Sequence, residues 1–287
     1  MKSDDLLRIG NDIRRRTLRA VHHAGAGHIG GVLSAAEMLA ALYFSVLRID
    51  PQRPLWEDRD RFILSKGHCS IGLYAVLALR GYFSPEELQT FDAIDSRLQG
   101  HPDMTKLPGL DMSTGSLGQG LSPGVGMALG ARMLGKEFRT WVMLGDGEIQ
   151  EGQIWEAAFV AARYGLDTLT AILDWNHLQQ FGWATSTGYT NSSRLDPVEN
   201  PVAKWRAFGW DVLECDGHKP EEFLASCEAA RAARGRPSII IAHTIKGKGV
   251  SFMERDYAWH SKPMTDADLE RALAELDAAD RRLGSGS

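Results

Sequence analysis

Short, nearly unbroken apolar runs recur along the chain: RFILS (61–65), TWVMLG (140–145), LTAILDW (169–175), DVLECDG (211–217) and SIIIAHT (238–244). Such runs predict strands buried on both faces, because a strand with one solvated face alternates apolar and polar side chains. Between them the apolar positions shift to helical spacing, in AAEMLAALYFSVL after Ser34, from Gln150 to Tyr164, from Glu221 to Ala233, and in a last helix beyond the HSKP segment. Ser34 with Glu37, and Ser84-Pro85-Glu86-Glu87, have the residue types of capping boxes that open helices. The alternation predicts an α/β fold, an open and mostly parallel sheet with helices on both faces. Residues 181–201, FGWATSTGYTNSSRLDPVENP, have no period and many turn formers, and read as a long surface loop. The closing GSGS has the composition of a flexible tail or a cloning remnant, so residues 1–283 are taken as a single domain and 284–287 as a tail.

Composition narrows the function classes. The chain has 287 residues, 44% of them hydrophobic, enough for one large core. Its formal net charge of −5, with Lys and Arg scattered among acids, argues against a nucleic-acid partner. The opening MKSDDLLRIG lacks the basic and apolar regions of a signal peptide, and no run approaches the ~20 apolar residues of a membrane span. A soluble, cytoplasmic protein is the expectation. Cys69, Cys215 and Cys227 form no CxxC pair and are odd in number, so they read as packed thiols rather than a disulfide or zinc framework.

The chemistry begins where TWVMLG ends, at Gly145-Asp146-Gly147. In an open parallel sheet, ligands bind at the carboxyl edge of the strands, and the next helix offers free N–H groups suited to phosphate. A carboxylate beside a phosphate needs a divalent cation between them, and Mg²⁺ is usually held by one or two carboxylates plus phosphate oxygens. A lone GDG is usually a turn. Here Asn176 closes the next apolar run thirty residues later, the length of one strand–helix–strand unit, which brings both side chains to the same sheet edge. GVGMALG imitates a dinucleotide fingerprint but follows Ser-Pro instead of a strand, and IKGKG lacks the spacing of a phosphate loop.

The stretch GDGEIQEGQIWEAAFVAARYGLDTLTAILDWN resembles the signature of thiamine diphosphate enzymes, with Trp175 where the family often has a first Asn. Four further segments, GAGHIGGVLSAAE, RDRFILSKGHCSIGLY, GHPDMTKLPGLDMSTGSLGQGLSPGVGMALG and HTIKGKGVSFME leading to WHSKP, follow in the order of transketolase. The resemblance runs from about residue 10 to 265 and implies the thiamine diphosphate-binding fold.

It further implies that Asp146 and Asn176 bind Mg²⁺ through side chains and Leu178 through its carbonyl. Gly145, Gly147, His68 and His260 would contact the diphosphate of thiamine diphosphate, with Gly115 and Leu117 beside its aminopyrimidine. His28, His68, His101 and His260 match histidines that line the family's substrate channel, where sugar hydroxyls lose and regain protons. Glu151 matches a glutamate at the family's subunit interface. The resemblance covers only the first, diphosphate-binding domain of transketolase, and nothing matches the family's activating glutamate, which belongs to the second. The expectation is therefore the amino-terminal subunit of a split transketolase, inactive alone and working with a separate carboxy-terminal subunit in an α₂β₂ heterotetramer. It would move a two-carbon ketol unit from a ketose phosphate to an aldose phosphate, in pentose phosphate metabolism by default. A split enzyme for an unusual sugar phosphate or sulfo-sugar, a subunit of another thiamine diphosphate enzyme, and a non-catalytic scaffold are the alternatives.

Overall fold

A computed structural model describes residues 1–179, 184–185, 188–189 and 200–284. Its strands are β1 (Arg61–Leu64), β2 (Thr140–Gly145), β3 (Leu169–Trp175), β4 (Ala184–Thr185), β5 (Gly188–Tyr189), β6 (Asp211–Asp216) and β7 (Ser238–His243). The α-helices are α1 (Ser3–Ala24), α2 (Gly30–Ala41), α3 (Ser70–Arg80), α4 (Leu121–Met133), α5 (Gly152–Arg163), α6 (Pro201–Ala207), α7 (Pro220–Ala232) and α8 (Asp266–Gly284).

The main sheet has the order β1-β2-β3-β7-β6 and every pairing in it is parallel. Parallel neighbours need crossover connections, which the helices supply on the two faces. The pleat sends alternate residues to opposite cores. Trp141, Met143, Ile172 and Ile240 join one core with residues of α1, α2, α3 and α7. Val142, Leu144, Leu173 and Ile241 join the other with residues of α4, α5 and α6. Both faces being covered explains the unbroken apolar runs of β1, β2, β3 and β7, whereas the edge strand β6, expected to be buried on both faces, is mostly half-buried with Glu214 exposed.

The two sequence-read capping boxes are corrected by the structure. Ser34 lies inside α2, where its hydroxyl donates to the Gly31 carbonyl at 3.0 Å and to Asp174 at 2.6 Å, while Glu37 pairs with Arg14 at 2.6 Å. Pro85–Thr90 forms a 3₁₀ helix, and the Ser84 hydroxyl bonds to Glu86 instead of to a backbone amide. The three cysteines are free and buried. Of the loop read at 181–201, β4 and β5 form a two-stranded antiparallel ladder and Asn200 caps α6, accepting from the Ala203 amide at 2.9 Å. Most of the rest lies outside the described residues, as do residues 285–287 of the expected tail, while Gly284 closes α8. No described helix is long and apolar enough to cross a membrane.

Candidate active site

Four strand ends converge on one cavity of about 330 Å³ at the carboxyl edge of the sheet. Lys66 and His68 come from the turn after β1, Asp146 from that after β2, Asn176 and Leu178 from that after β3, and Lys246 from the loop after β7. His28 and Gly31 enter from the start of α2, and His260 from a 3₁₀ turn at Tyr257–His260. Gly115, Leu117, Gly145 and Gly147 line the same space. The Gly115 loop reaches this position because residue 67 is glycine: a Cβ there would lie 2.6 Å from the Gly115 amide nitrogen and the Thr114 carbonyl carbon.

Gly145 pairs in register with Asp174, so Asp146 and Asn176 leave neighbouring strands one residue apart. Asp146 Oδ1 accepts the Gly147 amide at 2.9 Å, whereas Oδ2 is buried and has no hydrogen-bond partner. Burial pushes this carboxyl up to about 7, against the opposing pull of Lys246. An acceptor buried without a partner is costly, and a cation is the group that satisfies it. Asn176 Oδ1 accepts the Leu178 amide at 3.1 Å, folding the turn that brings Leu178 to the cavity, where its carbonyl accepts from Lys246 Nζ at 3.5 Å. Carboxylate, amide and carbonyl oxygens form a hard, all-oxygen donor set, the kind that suits Mg²⁺ better than a soft metal.

Beneath these groups lies a fully buried ion pair, Lys66 with Asp174. Asp174 also accepts the hydroxyls of Ser34 and Thr244 and the Asn176 amide at 3.4 Å, which turns that side chain. Lys66 and these hydroxyls hold the Asp174 carboxyl below its usual range despite burial. Lys246, 2% exposed, donates to the Gln179 carbonyl at 2.9 Å and meets His260 Nδ1 at 2.9 Å. Burial draws its ammonium down to about 8.

The imidazoles cluster above the cations. Ring centroids of His28, His68 and His260 are 5.1 Å apart in each pairing, and His101 stands 6.4 Å from His28, at the exposed rim. Burial, reinforced by neighbouring histidines and lysines, lowers His68 to about 2 and His260 to about 3, and lowers His28 as well. These three rings are neutral at pH 7. Because an ammonium only donates, His260 accepts at Nδ1 and carries its proton on Nε2.

The histidines set an acid sensitivity whose sign follows from these shifts. A histidine ordinarily near 6.5 that is held neutral in the fold contributes nothing above that pH and loses stability as pH falls toward its folded value. Between pH 7 and 5, His68 and His260 are expected to cost roughly 2 kcal/mol each. Urea unfolding at the two pH values measures it, and the His68→Gln/His260→Gln variant should show a much flatter loss. An equal loss in the variant would place the acid sensitivity elsewhere.

All the sequence-identified residues meet at this cavity except His101, at its rim, and Glu151, exposed at the start of α5. Reasoning from sequence missed Lys66, Glu148, Gln179 and Lys246. Lys66 sits in the same SKGHC turn as His68, and Lys246 in the IKGKG stretch set aside as a phosphate loop; neither carries a sign of its burial.

Residues 7–280 match the family model of the transketolase thiamine diphosphate binding domain. The chain is 46% identical over 273 residues to the 6-deoxy-6-sulfo-D-fructose transketolase subunit SqwG of Clostridium sp. (strain MSTE9), covering 95% of this chain and 96% of that one. It is 42% identical over 263 residues to an apulose-4-phosphate transketolase subunit of Phocaeicola vulgatus, covering 92% and 90%. Among solved structures, transketolase from Campylobacter jejuni superposes with a TM-score of 0.87 at 29% identity, over 99% of this chain and 46% of that one. The chain thus spans about half the length of that solved relative.

Proposed function

The chain belongs to the transketolase family, as a thiamine diphosphate-binding domain, and from that premise we propose that it is the amino-terminal subunit of a split transketolase. Two relatives matched over nearly their whole length are named as subunits, which supports a separate complementary chain; an α₂β₂ assembly is part of the same proposal. The cavity, at the lower end of the range for ligand pockets, suits one wall of a cleft that a second domain closes.

The observation that carries the reading is the buried, unpartnered Asp146 Oδ2 in a cavity shared with a cluster of neutral imidazoles. Asp146, Asn176 and the Leu178 carbonyl would hold Mg²⁺, with Gly145, Gly147, His68 and His260 around the diphosphate and Gly115 and Leu117 at the aminopyrimidine end. Thiamine diphosphate, when bound, supplies the electron sink for breaking and making a carbon–carbon bond. The residues of this chain do the rest. His260 presents Nε2–H to an oxygen, its Nδ1 being held by Lys246. Each neutral ring offers one N–H and one lone pair, so His28 and His68 can each accept a hydrogen bond from one hydroxyl and donate one to another oxygen, orienting the sugar. His101 at the rim orients the sugar. Lys66 and Lys246 lend positive charge beneath the diphosphate.

The substrate class is a ketose donor and an aldose acceptor with an anionic end. The names of the two relatives, one a sulfo-sugar enzyme and the other a sugar phosphate enzyme, support both phosphate and sulfonate. The test is ketol transfer to an aldose phosphate from xylulose 5-phosphate and from 6-deoxy-6-sulfofructose, with Mg²⁺ and thiamine diphosphate, by the chain alone and with the complementary subunit. Turnover is expected only in the mixture, at least about 10³-fold over the chain alone, since the cofactor cleft is then complete. Equal activity of the chain alone would overturn the split assignment.

A further inference from the structure

Glu148, two residues past Asp146, is 2% exposed, and both its carboxylate oxygens are engaged. Oε2 accepts the Gly145 amide at 3.0 Å, and Oε1 accepts the Gly118 amide at 2.9 Å together with the Ser65 hydroxyl. The same Ser65 oxygen accepts the Gly120 amide at 3.1 Å. The loop at 115–120 therefore hangs on this one carboxylate twice, directly at Gly118 and through Ser65 at Gly120. Gly118, at φ +80°, lies so flat on the start of α5 that a Cβ would come within 2.7 Å of Glu151 Cβ. Burial raises the Glu148 carboxyl while Ser65 and the Gly145 and Gly118 amides pull it down. Such a group is expensive unless every oxygen is used, and here every oxygen is.

These bonds join two walls of the cavity. Gly115 and Leu117 line it from the 115–120 loop, Gly145 and Gly147 from the turn after β2. We infer that Glu148 is a positioning residue that fixes the distance between these two walls, and so favours ligands with an anionic end and a heteroaromatic end that touch both. The inference rests on the thiamine diphosphate reading and deepens it.

Glu148→Gln is nearly isosteric, but whichever way its amide is turned, its single oxygen accepts from only one wall and its NH₂ faces a donor on the other. Ser65→Ala releases the loop at Gly120 while leaving the Gly145 bond in place. Two probes are titrated calorimetrically into the full chain with its complementary subunit present: thiamine diphosphate with Mg²⁺, which reaches both walls, and inorganic diphosphate with Mg²⁺, which reaches one. Glu148→Gln is expected to weaken thiamine diphosphate about 10-fold or more and inorganic diphosphate by less than about threefold, with Ser65→Ala showing the same split more weakly. Hydrogen exchange at the Gly118 and Gly120 amides should quicken in Ser65→Ala while the β2 amides stay protected. Equal weakening of both probes, or of neither, overturns the inference. An unaltered protein that binds inorganic diphosphate but no thiamine diphosphate overturns the function reading, and this inference with it.

Discussion

Asp146→Ala is expected to lower the affinity for Mg²⁺ with thiamine diphosphate by at least about a hundredfold, and to remove ketol transfer with it. The expectation comes from position: Asp146 is the carboxylate of the oxygen donor set at this cavity, and its Oδ2 is a buried acceptor there without a protein partner, alongside the unpartnered donor Nε2 of Gln179. Changing groups that merely orient a metal's ligands costs about 10- to 100-fold, so losing a charged ligand should cost more. A second consequence runs the opposite way. With no metal or cofactor present, Asp146 is a buried carboxyl with one unsatisfied oxygen, and its burial opposes folding. Alanine should leave the melting temperature of the metal-free protein unchanged or raise it, and should abolish the rise that Mg²⁺ and thiamine diphosphate bring. Calorimetric titration and thermal melts with and without ligand check both halves. A variant that binds normally would remove Asp146 from the metal site, and one that melts far lower without ligand would give it a structural role instead.

Lys66→Met should destabilise the fold by about 3–5 kcal/mol, the usual cost of removing one member of a buried ion pair. Its partner Asp174 is wholly buried in the central strand β3 and would keep only hydroxyl and amide donors. The double variant Lys66→Met/Asp174→Leu removes the stranded charge and should recover much of the loss, because an apolar pair of similar volume can replace a buried ion pair at little cost. It should not recover cofactor affinity, since Asn176 loses the carboxylate that turns its amide. Chemical denaturation of the three variants, with Asp174→Leu completing the cycle, measures the coupling. A loss below about 1 kcal/mol for Lys66→Met would show that water or a shifted side chain already compensates Asp174.

The strands are legible in the sequence because both faces of the sheet are dry over β1, β2, β3 and β7, with only the edge strand β6 half-buried. β2 and β3 have the predicted bounds, and β1, β6 and β7 each stop one residue short of the apolar run that marks them. The helix starts are not. Ser34 and Glu37 have the chemistry of a cap, but tertiary partners claim them both, Asp174 for one and Arg14 with His218 for the other. α1, the longest helix described, escapes the sequence reading altogether. Its arginines look like a solvated surface in sequence, whereas Arg15 pairs with Asp277 and Asp280 of α8, and Arg14 is nearly inaccessible. At the site, crossover spacing marks Asp146 and Asn176, and the family's motifs mark the histidines. Lys66, Lys246 and Glu148 leave no such trace. Lysine beside glycine usually marks a mobile, wet loop, and an acid opening a helix usually serves the helix dipole. Only the packing of distant segments shows that these charges are dry.

The parallel order of the sheet also governs when the molecule becomes competent. Arg61 of β1 pairs with Thr140 of β2, and β3 lies against β7 with Thr170 opposite Ser238. During synthesis the first strand must therefore wait for its neighbour across a long stretch of chain, and the centre of the sheet is not flanked until β7 has emerged. Pairings between such distant segments carry a large loop-closure cost and form slowly. Lys246 and His260 follow β7, so the cavity cannot assemble before the segment beyond β7 has emerged. Until then the polar floor built around Asp174 has no lid and the apolar strand edges are bare, a window in which chaperone capture competes with folding.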